Sequence, residues 1–254
     1  MKTWPAFSAM AGFWFSRGMQ FKRPEHEKIV GLLRTMDADF LLGCRCWFGG
    51  GTAIVLSHGE YRRSLDVDFL CSDQDGYRKI RNEIFDRGLA AVFAGEVRQL
   101  RDVRSDGYGV RTLLEHGGLA IKFEIVREAR ISLSGALDPD LGVPLLAMED
   151  MFAEKLLANA DRCFDRAVAW RDAIDLGRLV QVHGLIPPIA VEKAETAYGA
   201  DIARKAAGIL DHLRDKVEIA YAAESLDMDI PVAEAAVSAF REAARRAWPG
   251  VAFA

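Results

Sequence analysis

The chain has 254 residues, of which 50% are hydrophobic and 28% are charged, and its formal net charge is −4. These values are typical of a globular protein with one large domain or two small ones. The slightly negative charge excludes binding to nucleic acid through overall basicity, so any such contact requires a local basic patch.

The N-terminus and the cysteines bear on the compartment. Residues 1–23 read as an N-terminal extension, and its apolar stretch over 7–15 is too short and lacks the cleavage site of a signal peptide. No segment reaches the ~18 apolar residues of a membrane span. The four cysteines have no zinc-ligand spacing, which indicates free thiols in a cytoplasmic protein.

The first half of the chain predicts alternating helices and strands, followed by further strands. The expected elements are a helix over 24–37, a strand over 40–48, a short helix over 52–59, a strand over 64–70, a helix over 75–88 with Asp75 as N-cap and Gly88 as terminator, and strands over 96–103, 108–116 and 119–126. A tight turn at His116-Gly117-Gly118 joins the last two strands. This order predicts a mixed α/β sheet.

The second half is expected to be helical. Residues 134–144 read as a loop, and the segments with helical periodicity after it are 148–164, 167–181, 190–199, 200–215 and 232–248. The sequence therefore predicts an α/β domain over 24–140 and a mainly helical domain over 141–254, packed together.

A pair of aspartates interrupts the predicted strand over 64–70. Asp66 and Asp68 are two residues apart, so their carboxylates project from the same side of the strand. Two like charges this close repel each other unless a cation lies between them, and carboxylate oxygens suit Mg²⁺ or Mn²⁺. The alternative interpretation is an exposed strand face that carries two acids.

Two neighbouring segments favour a nucleotide site. Gly49, Gly50 and Gly51 follow a strand and precede a helix beginning near Thr52, and the backbone N–H groups of such a turn bind phosphate oxygens. Arg62, Arg63 and Ser64 come directly before the aspartates. Arg63 and Ser64 are candidate phosphate ligands. At least one of the two arginines is expected to be an ordinary surface residue.

A third acid lies on a later strand. Glu124 interrupts the apolar strand over 119–126, with Lys122 on its own side. It is either the partner of Lys122 in an ion pair or a third metal ligand. A glycine turn, an Asp-x-Asp strand and a later strand acid together resemble the polymerase β-like nucleotidyltransferase superfamily.

The helical half contributes further polar residues. Lys155, Asn159 and Arg162 have offsets that place them along one helix face, and Arg166 continues the spacing. A following apolar segment carries Arg171, Asp172, Asp175 and Arg178. These charges indicate either a polar network between two helices or part of a nucleotide cleft.

The combined motifs resemble the AbiEii/AbiGii nucleotidyltransferase toxin family over residues 25 to 185. The quoted stretches are GGGTAIVLSHGEYRRSLDVDFL, EKLLANADR and RDAIDL. The resemblance implies a polymerase β-like mixed sheet with flanking helices, followed by a mainly helical domain. The residues to which it assigns roles are Gly50, Gly51 and Thr52 for the nucleotide-binding turn, Asp66 and Asp68 for the metal pair, Lys155 for the triphosphate, and Asp172, with Asp175 nearby, for the essential acid of the second half.

The resemblance also implies an activity and partners. Family members transfer a nucleotide from an NTP, for some of them to the 3′ end of tRNA, and a separately encoded antitoxin need not bind the toxin. Docking of RNA would rest on arginines such as Arg162, Arg166 and Arg171. Two alternatives remain: a non-catalytic module that binds NTP or RNA, and a small-molecule or protein nucleotidyltransferase outside toxin systems.

Overall fold

The computed structural model describes residues 21–253, so most of the predicted N-terminal extension lies outside the described residues. The helices of this part of the chain are α1 Pro24–Leu33, α2 Ala38–Gly43, α3 Gly50–Ser57, α4 Gln74–Arg87, α5 Met148–Arg162, α6 Arg171–His183, α7 Pro188–Tyr198, α8 Asp201–His212, α9 Lys216–Ser225 and α10 Ile230–Ala247. The strands are β1 Cys46–Gly49, β2 Val67–Cys71, β3 Arg98–Gln99, β4 Arg104–Ser105, β5 Gly109–His116, β6 Leu119–Arg127, β7 Gly135–Asp138 and β8 Val143–Leu146.

The strands form one mixed sheet, as the sequence predicts. Its order is β3-β5-β6-β2-β1-β8-β7, with β4 paired to β5. Strand β2 runs antiparallel to β1 and parallel to β6, which places it near the centre of the sheet. Phe48, Phe69 and Phe123 from these three strands are fully buried on the core side, and neighbouring ring centroids are 5.5 and 6.2 Å apart. Residues of β2 that alternate with them therefore face the opposite side of the sheet.

The predicted strand over 40–48 was wrong in its first half. Residues Ala38–Gly43 form helix α2, because Asp37 accepts a hydrogen bond from the N–H of Phe40 at 2.9 Å and caps the helix. Arg45, with φ of 51°, turns the chain into β1. A similar error concerns α4: its N-cap is Asp73, which accepts from the N–H of Gly76, and not Asp75.

The predicted strand over 96–103 is also different in the structure. Only Arg98–Gln99 pair with β5, and Arg104–Ser105 form a separate short strand beside it. The predicted hairpin between β5 and β6 is confirmed. Gly117 and Gly118 both have positive φ, as a tight turn of this kind requires.

Residues 134–144 are not a loop but contain most of a hairpin. Strands β7 and β8 pair with each other, and β8 pairs in parallel with β1, so the sheet continues to Leu146. The turn between them is compact because Asp138 accepts hydrogen bonds from the N–H groups of Asp140 and Leu141. A division of the chain near residue 140 stays a prediction.

The second half is helical, with two differences from the predicted segments. Helix α9 was not predicted, and α6 begins at Arg171 because Ala169 and Trp170 have positive φ. Gly177 of α6 faces the backbone of Ala236 in α10, so that a side chain at this position would collide with it. Within residues 21–253, no helix has the length and apolarity needed to cross a membrane.

Candidate active site

A cleft of about 230 Å³ lies between the sheet and helices α5 and α6. Its polar lining residues are Gly50, Gly51, Arg62, Ser64, Asp66, Asp68, Lys122, Glu124, Glu154, Lys155, Arg162 and Arg171. Leu70, Val126, Leu146 and Met151 contribute an apolar wall. Residues from both halves of the chain therefore surround one space.

The two aspartates lie at the start of β2. Asp68 is the second residue of the strand, and its Cα is paired with Gly49 of β1 on one side and Glu124 of β6 on the other. Asp66 directly precedes the first residue of the strand, so the predicted strand begins later than expected. Both carboxylates line the cleft.

Asp68 occupies an environment that disfavours its charge. Burial, and then the nearby carboxylates of Asp66 and Glu124, raise the pKa of Asp68 from 3.8 to about 6. A bound cation would remove this repulsion. The donor set of Asp66 and Asp68 thus fits a divalent metal ion of the Mg²⁺ type.

Glu124 has cationic partners in the structure. Its carboxylate is 2.9 Å from the Lys122 Nζ and 3.5 Å from the Arg111 Nε. Among residues 21–253, no group of three or more His, Cys, Asp or Glu side chains is placed to hold a metal ion. Asp66, Asp68 and Glu124 all line the cleft, and the alternative ion pair of Glu124 with Lys122 is present. A metal site formed by all three carboxylates stays a prediction.

The glycine turn packs directly against the functional side chains. Gly50 has φ of 68°, and a Cβ atom there would lie 2.7 Å from the Asp68 Oδ2. A Cβ atom on Gly51 would collide with the Arg62 guanidinium. Glycine at these positions lets the N-terminus of α3 approach the cleft.

Thr52 does not line the cleft but supports it. It is buried, and its Oγ1 is 2.8 Å from the Oγ of Ser64, which does line the cleft. Of the two neighbouring arginines, Arg62 lines the cleft, whereas Arg63 is exposed and lies outside it. The geometry thus favours Arg62, rather than the predicted Arg63, as the arginine of the cleft.

Arg62 is fixed by Asp175 of α6. The Nε and Nη2 of Arg62 donate to the two carboxylate oxygens of Asp175 at 2.7 and 2.8 Å, and the Tyr61 hydroxyl also donates to Asp175 at 2.6 Å. Asp175 has no exposed surface and is not part of the cleft lining. It acts from behind the cleft as a buried counter-ion.

Lys155 and Arg162 are held in the same way by Asp172. The Lys155 Nζ lies 2.9 Å from Asp172 and 2.6 Å from Asp175, and the Arg162 Nε donates to Asp172 at 2.7 Å. Burial disfavours the charged form of Asp172, but the two cations hold its pKa well below its usual range. Asp172 and the buried Asn159 both lie outside the cleft lining.

The predicted arginines for RNA docking separate in the structure. Arg166 lies beyond the end of α5, where it pairs with Glu218 at 2.7 Å and covers the ring of Tyr221. The expectation that it continues the face of Lys155 was therefore wrong. Arg171 lines the cleft, and no carboxylate within residues 21–253 forms an ion pair with it.

Glu154 is a cleft residue that sequence reasoning missed. Its side chain is 14% exposed, and its Oε1 has no hydrogen-bond partner within the described part of the chain. Burial and the neighbouring Glu128 raise the pKa of Glu154 to about 8. No sequence signal connects these two acids, because Glu128 follows β6 and Glu154 lies in α5.

Comparisons with known proteins identify a matching sequence family and similar folds. Residues 32–249 match the sequence model of a family described as nucleotidyl transferase AbiEii toxin, type IV TA system. No curated protein sequence matches the chain significantly.

Two solved structures are similar to this chain in fold. One is described as a candidate nucleotidyltransferase from H. pylori, with 18% identity, a TM-score of 0.52, and coverage of 89% of this chain and 96% of that one. The other is JHP933 from Helicobacter pylori, with 17% identity, a TM-score of 0.52, and coverage of 91% and 96%.

Proposed function

The chain belongs to the AbiEii nucleotidyltransferase toxin family, and we propose that it transfers a nucleotide from an NTP to an acceptor hydroxyl in a metal-dependent reaction. The observation that carries the proposal is the pair Asp66 and Asp68 beside the glycine turn, in a cleft that also contains Lys155, Arg162 and Arg171. Carboxylates for a cation and basic groups for phosphates are the two requirements of this chemistry.

The metal would be Mg²⁺ or Mn²⁺, held by Asp66 and Asp68. When bound, it would activate the acceptor hydroxyl and neutralise charge on the triphosphate and the leaving pyrophosphate. Glu124 is proposed as a third ligand, which requires that it release Lys122 or share its carboxylate with it.

The triphosphate is assigned to the basic side of the cleft. The N-terminus of α3 at Gly50 and Gly51 provides backbone N–H groups, and Lys155, Arg162 and Arg171 provide positive charge. Asp172 positions Lys155 and Arg162 through the hydrogen bonds described above. Asp172 is thereby proposed as essential without contact to the substrate.

The acceptor is proposed to be RNA, including the 3′ end of tRNA, and the protein to act in the cytoplasm as the toxin of a type IV toxin–antitoxin or abortive-infection system. Its antitoxin would be separately encoded. Blocking an RNA end that translation needs would stop growth, so expression of the wild type, but not of a transfer-deficient variant, should arrest the cell.

A transfer assay tests the proposal. The protein is incubated with Mg²⁺ or Mn²⁺, each α-labelled NTP in turn, and total tRNA. We expect label on RNA with the wild type, and none with Asp66→Asn/Asp68→Asn, because the metal pair loses its charge. Asp201→Asn, an exposed acid of α8, is the matched control and should transfer normally.

Other outcomes separate the alternatives. Label on a protein or a small molecule would retain the chemistry and change the acceptor. Bound NTP without transfer to any acceptor would favour the non-catalytic module.

A further inference from the structure

A second groove of about 830 Å³ lies beside the cleft on the outer strands of the sheet. We call it the arginine groove, and its charged lining residues are Arg101, Asp102, Arg104, Arg111, Lys122 and Glu124. Lys122 and Glu124 line both the groove and the cleft. A molecule bound in the groove could therefore extend without interruption to Asp66 and Asp68.

The strand register orders this surface into a row. Arg104 of β4 is paired with Arg111 of β5, Arg111 with Glu124 of β6, and Glu124 with Asp68 of β2. Residues paired directly across neighbouring strands project from the same face of a sheet. With about 4.8 Å between strands, Arg104 lies about 14 Å from the strand of Asp68.

The positive charges of the arginine groove are only partly balanced by the protein, since Lys122 and Arg111 share Glu124 at 2.9 and 3.5 Å. Arg104 and Arg111 are directly opposite each other, which is unfavourable for like charges. Within residues 21–253, neither Arg101 nor Arg104 forms an ion pair, and the carboxylates nearest to Arg111 are 3.4 and 3.5 Å away. The groove has four cations and two acids, in a chain whose net charge is −4. An anionic ligand would relieve this local excess of positive charge.

We propose that the arginine groove binds the sugar-phosphate backbone of a single-stranded RNA acceptor, with its terminal hydroxyl at Asp66 and Asp68. This inference rests on the proposed function and names the path of the acceptor. Guanidinium groups match phosphates bidentately, and a row of them suits a chain of regularly spaced phosphates better than an isolated carboxylate. Two of the arginines predicted for RNA docking, Arg162 and Arg166, are engaged by Asp172 and Glu218 instead.

The test measures binding without transfer. A fluorescein-labelled single-stranded RNA of mixed sequence is titrated with the full chain by anisotropy, in EDTA and without NTP, at several salt concentrations. We expect Arg101→Ala/Arg104→Ala to weaken binding by roughly tenfold and to reduce the salt slope by about 0.7 for each phosphate that is no longer neutralised. Arg204→Ala, which removes an exposed arginine of α8, is the control and should bind as the wild type does.

A second variant separates loss of binding from loss of folding. Arg104→Glu replaces a like-charge pair with an opposite-charge pair across β4 and β5, so it should fold at least as stably while losing RNA affinity. Unchanged RNA affinity in both groove variants would overturn the proposal, as would a wild type that binds a polyglutamate peptide but not RNA.

The two proposals fail in different ways. If the wild type transfers label only to a protein, the groove assignment is wrong while the proposed chemistry stands. If the groove variants lose RNA binding but the wild type transfers no nucleotide, the proposed function is wrong while the groove assignment stands.

Discussion

Single residues in the cleft carry charge that their neighbours mostly compensate. Asp172 and Asp175 neutralise part of the charge of Arg62, Lys155 and Arg162, which allows three cations to be held close together. Glu154 is different, because burial and the neighbouring acid Glu128 disfavour its charge more than Arg130, at 3.4 Å, favours it. Glu154 therefore holds a proton where ordinary carboxyl groups have lost theirs.

The raised pKa of Glu154 makes the stability of the folded chain depend on pH. The pKa of Glu154 rises from an ordinary value of 4.5 to about 8 on folding, so between these values the folded chain binds a proton that the unfolded chain does not. The stability that this extra proton contributes to the fold is fully present below about pH 4.5 and is lost as the pH rises to about 8. Glu154→Gln should remove this dependence of stability on pH, because glutamine does not ionise. Relative to wild type, its gain in free energy of unfolding should be roughly 1–3 kcal/mol larger at pH 8.5 than at pH 5.

Urea denaturation at the two pH values measures the effect. The exposed Glu192→Gln in α7 is the control and should leave the difference between the two pH values unchanged. A Glu154→Gln variant with the same pH dependence as the wild type would contradict the assignment.

The spacing of Asp66 and Asp68 made them recognisable in the sequence, because two acids in an apolar segment stand out. The sequence did not show which of Arg62 and Arg63 lines the cleft. The choice depends on Asp175, which lies 113 residues after Arg62 and meets it only through folding. Glu154 was missed for the same reason, since its unusual environment comes from Glu128 on a different element.

Among the elements, α6 connects the helical half to the cleft. One part of it presents Asp172 and Asp175 to cations of α5 and of the segment before β2. Gly177 on the same helix lies against the backbone of α10. The position of α6 therefore determines the position of Arg62 and Lys155 in the cleft.

We expect Asp175→Asn to destabilise the fold strongly. The substitution leaves the buried Arg62 without its counter-ion, and breaking a buried ion pair on one side costs about 3–5 kcal/mol. Guanidinium denaturation measures the loss, and Asp201→Asn at an exposed ion pair should change stability by less than about 1 kcal/mol. A loss in Asp175→Asn no larger than in this control would contradict the role of Asp175 as the buried counter-ion of Arg62 and Lys155.

Elements with strong local signals were predicted well, and those that depend on distant partners were not. The β5–β6 hairpin follows from its glycine turn, and α4 ends at Gly88 as predicted. The sequence predicts a loop at β8 because four residues with a proline carry little periodicity, and the strand forms only because β1 offers a partner. The cap of α2 by Asp37 outweighed the apolar run that favoured a strand.

At the scale of the whole molecule, the cleft belongs to both halves of the chain. Its lining runs from Gly50 to Leu146 on the sheet side and from Met151 to Arg171 on the helical side. A nucleotide bound there would contact both halves at once and stabilise them together.

A non-hydrolysable NTP analogue with Mg²⁺ should raise the thermal midpoint of the full chain in a single transition. At about 100 times its Kd, a ligand specific for the folded state adds about 2.7 kcal/mol. Differential scanning calorimetry measures the shift, and Asp66→Asn/Asp68→Asn should lose the part that requires Mg²⁺. Two separate transitions, only one of which responds to the analogue, would show that the halves do not share the site.

Strand β8 pairs with β1 in the sheet and is followed by α5, which carries Lys155. A chain cut at residue 140 would thus lose more than its helices. It would expose the hydrogen-bonding groups of β1, a buried apolar strand, as a bare sheet edge that other copies could extend. We expect the isolated sheet half to be prone to aggregation for this reason, so β8 both covers the edge of β1 and leads to the helix that lines the cleft.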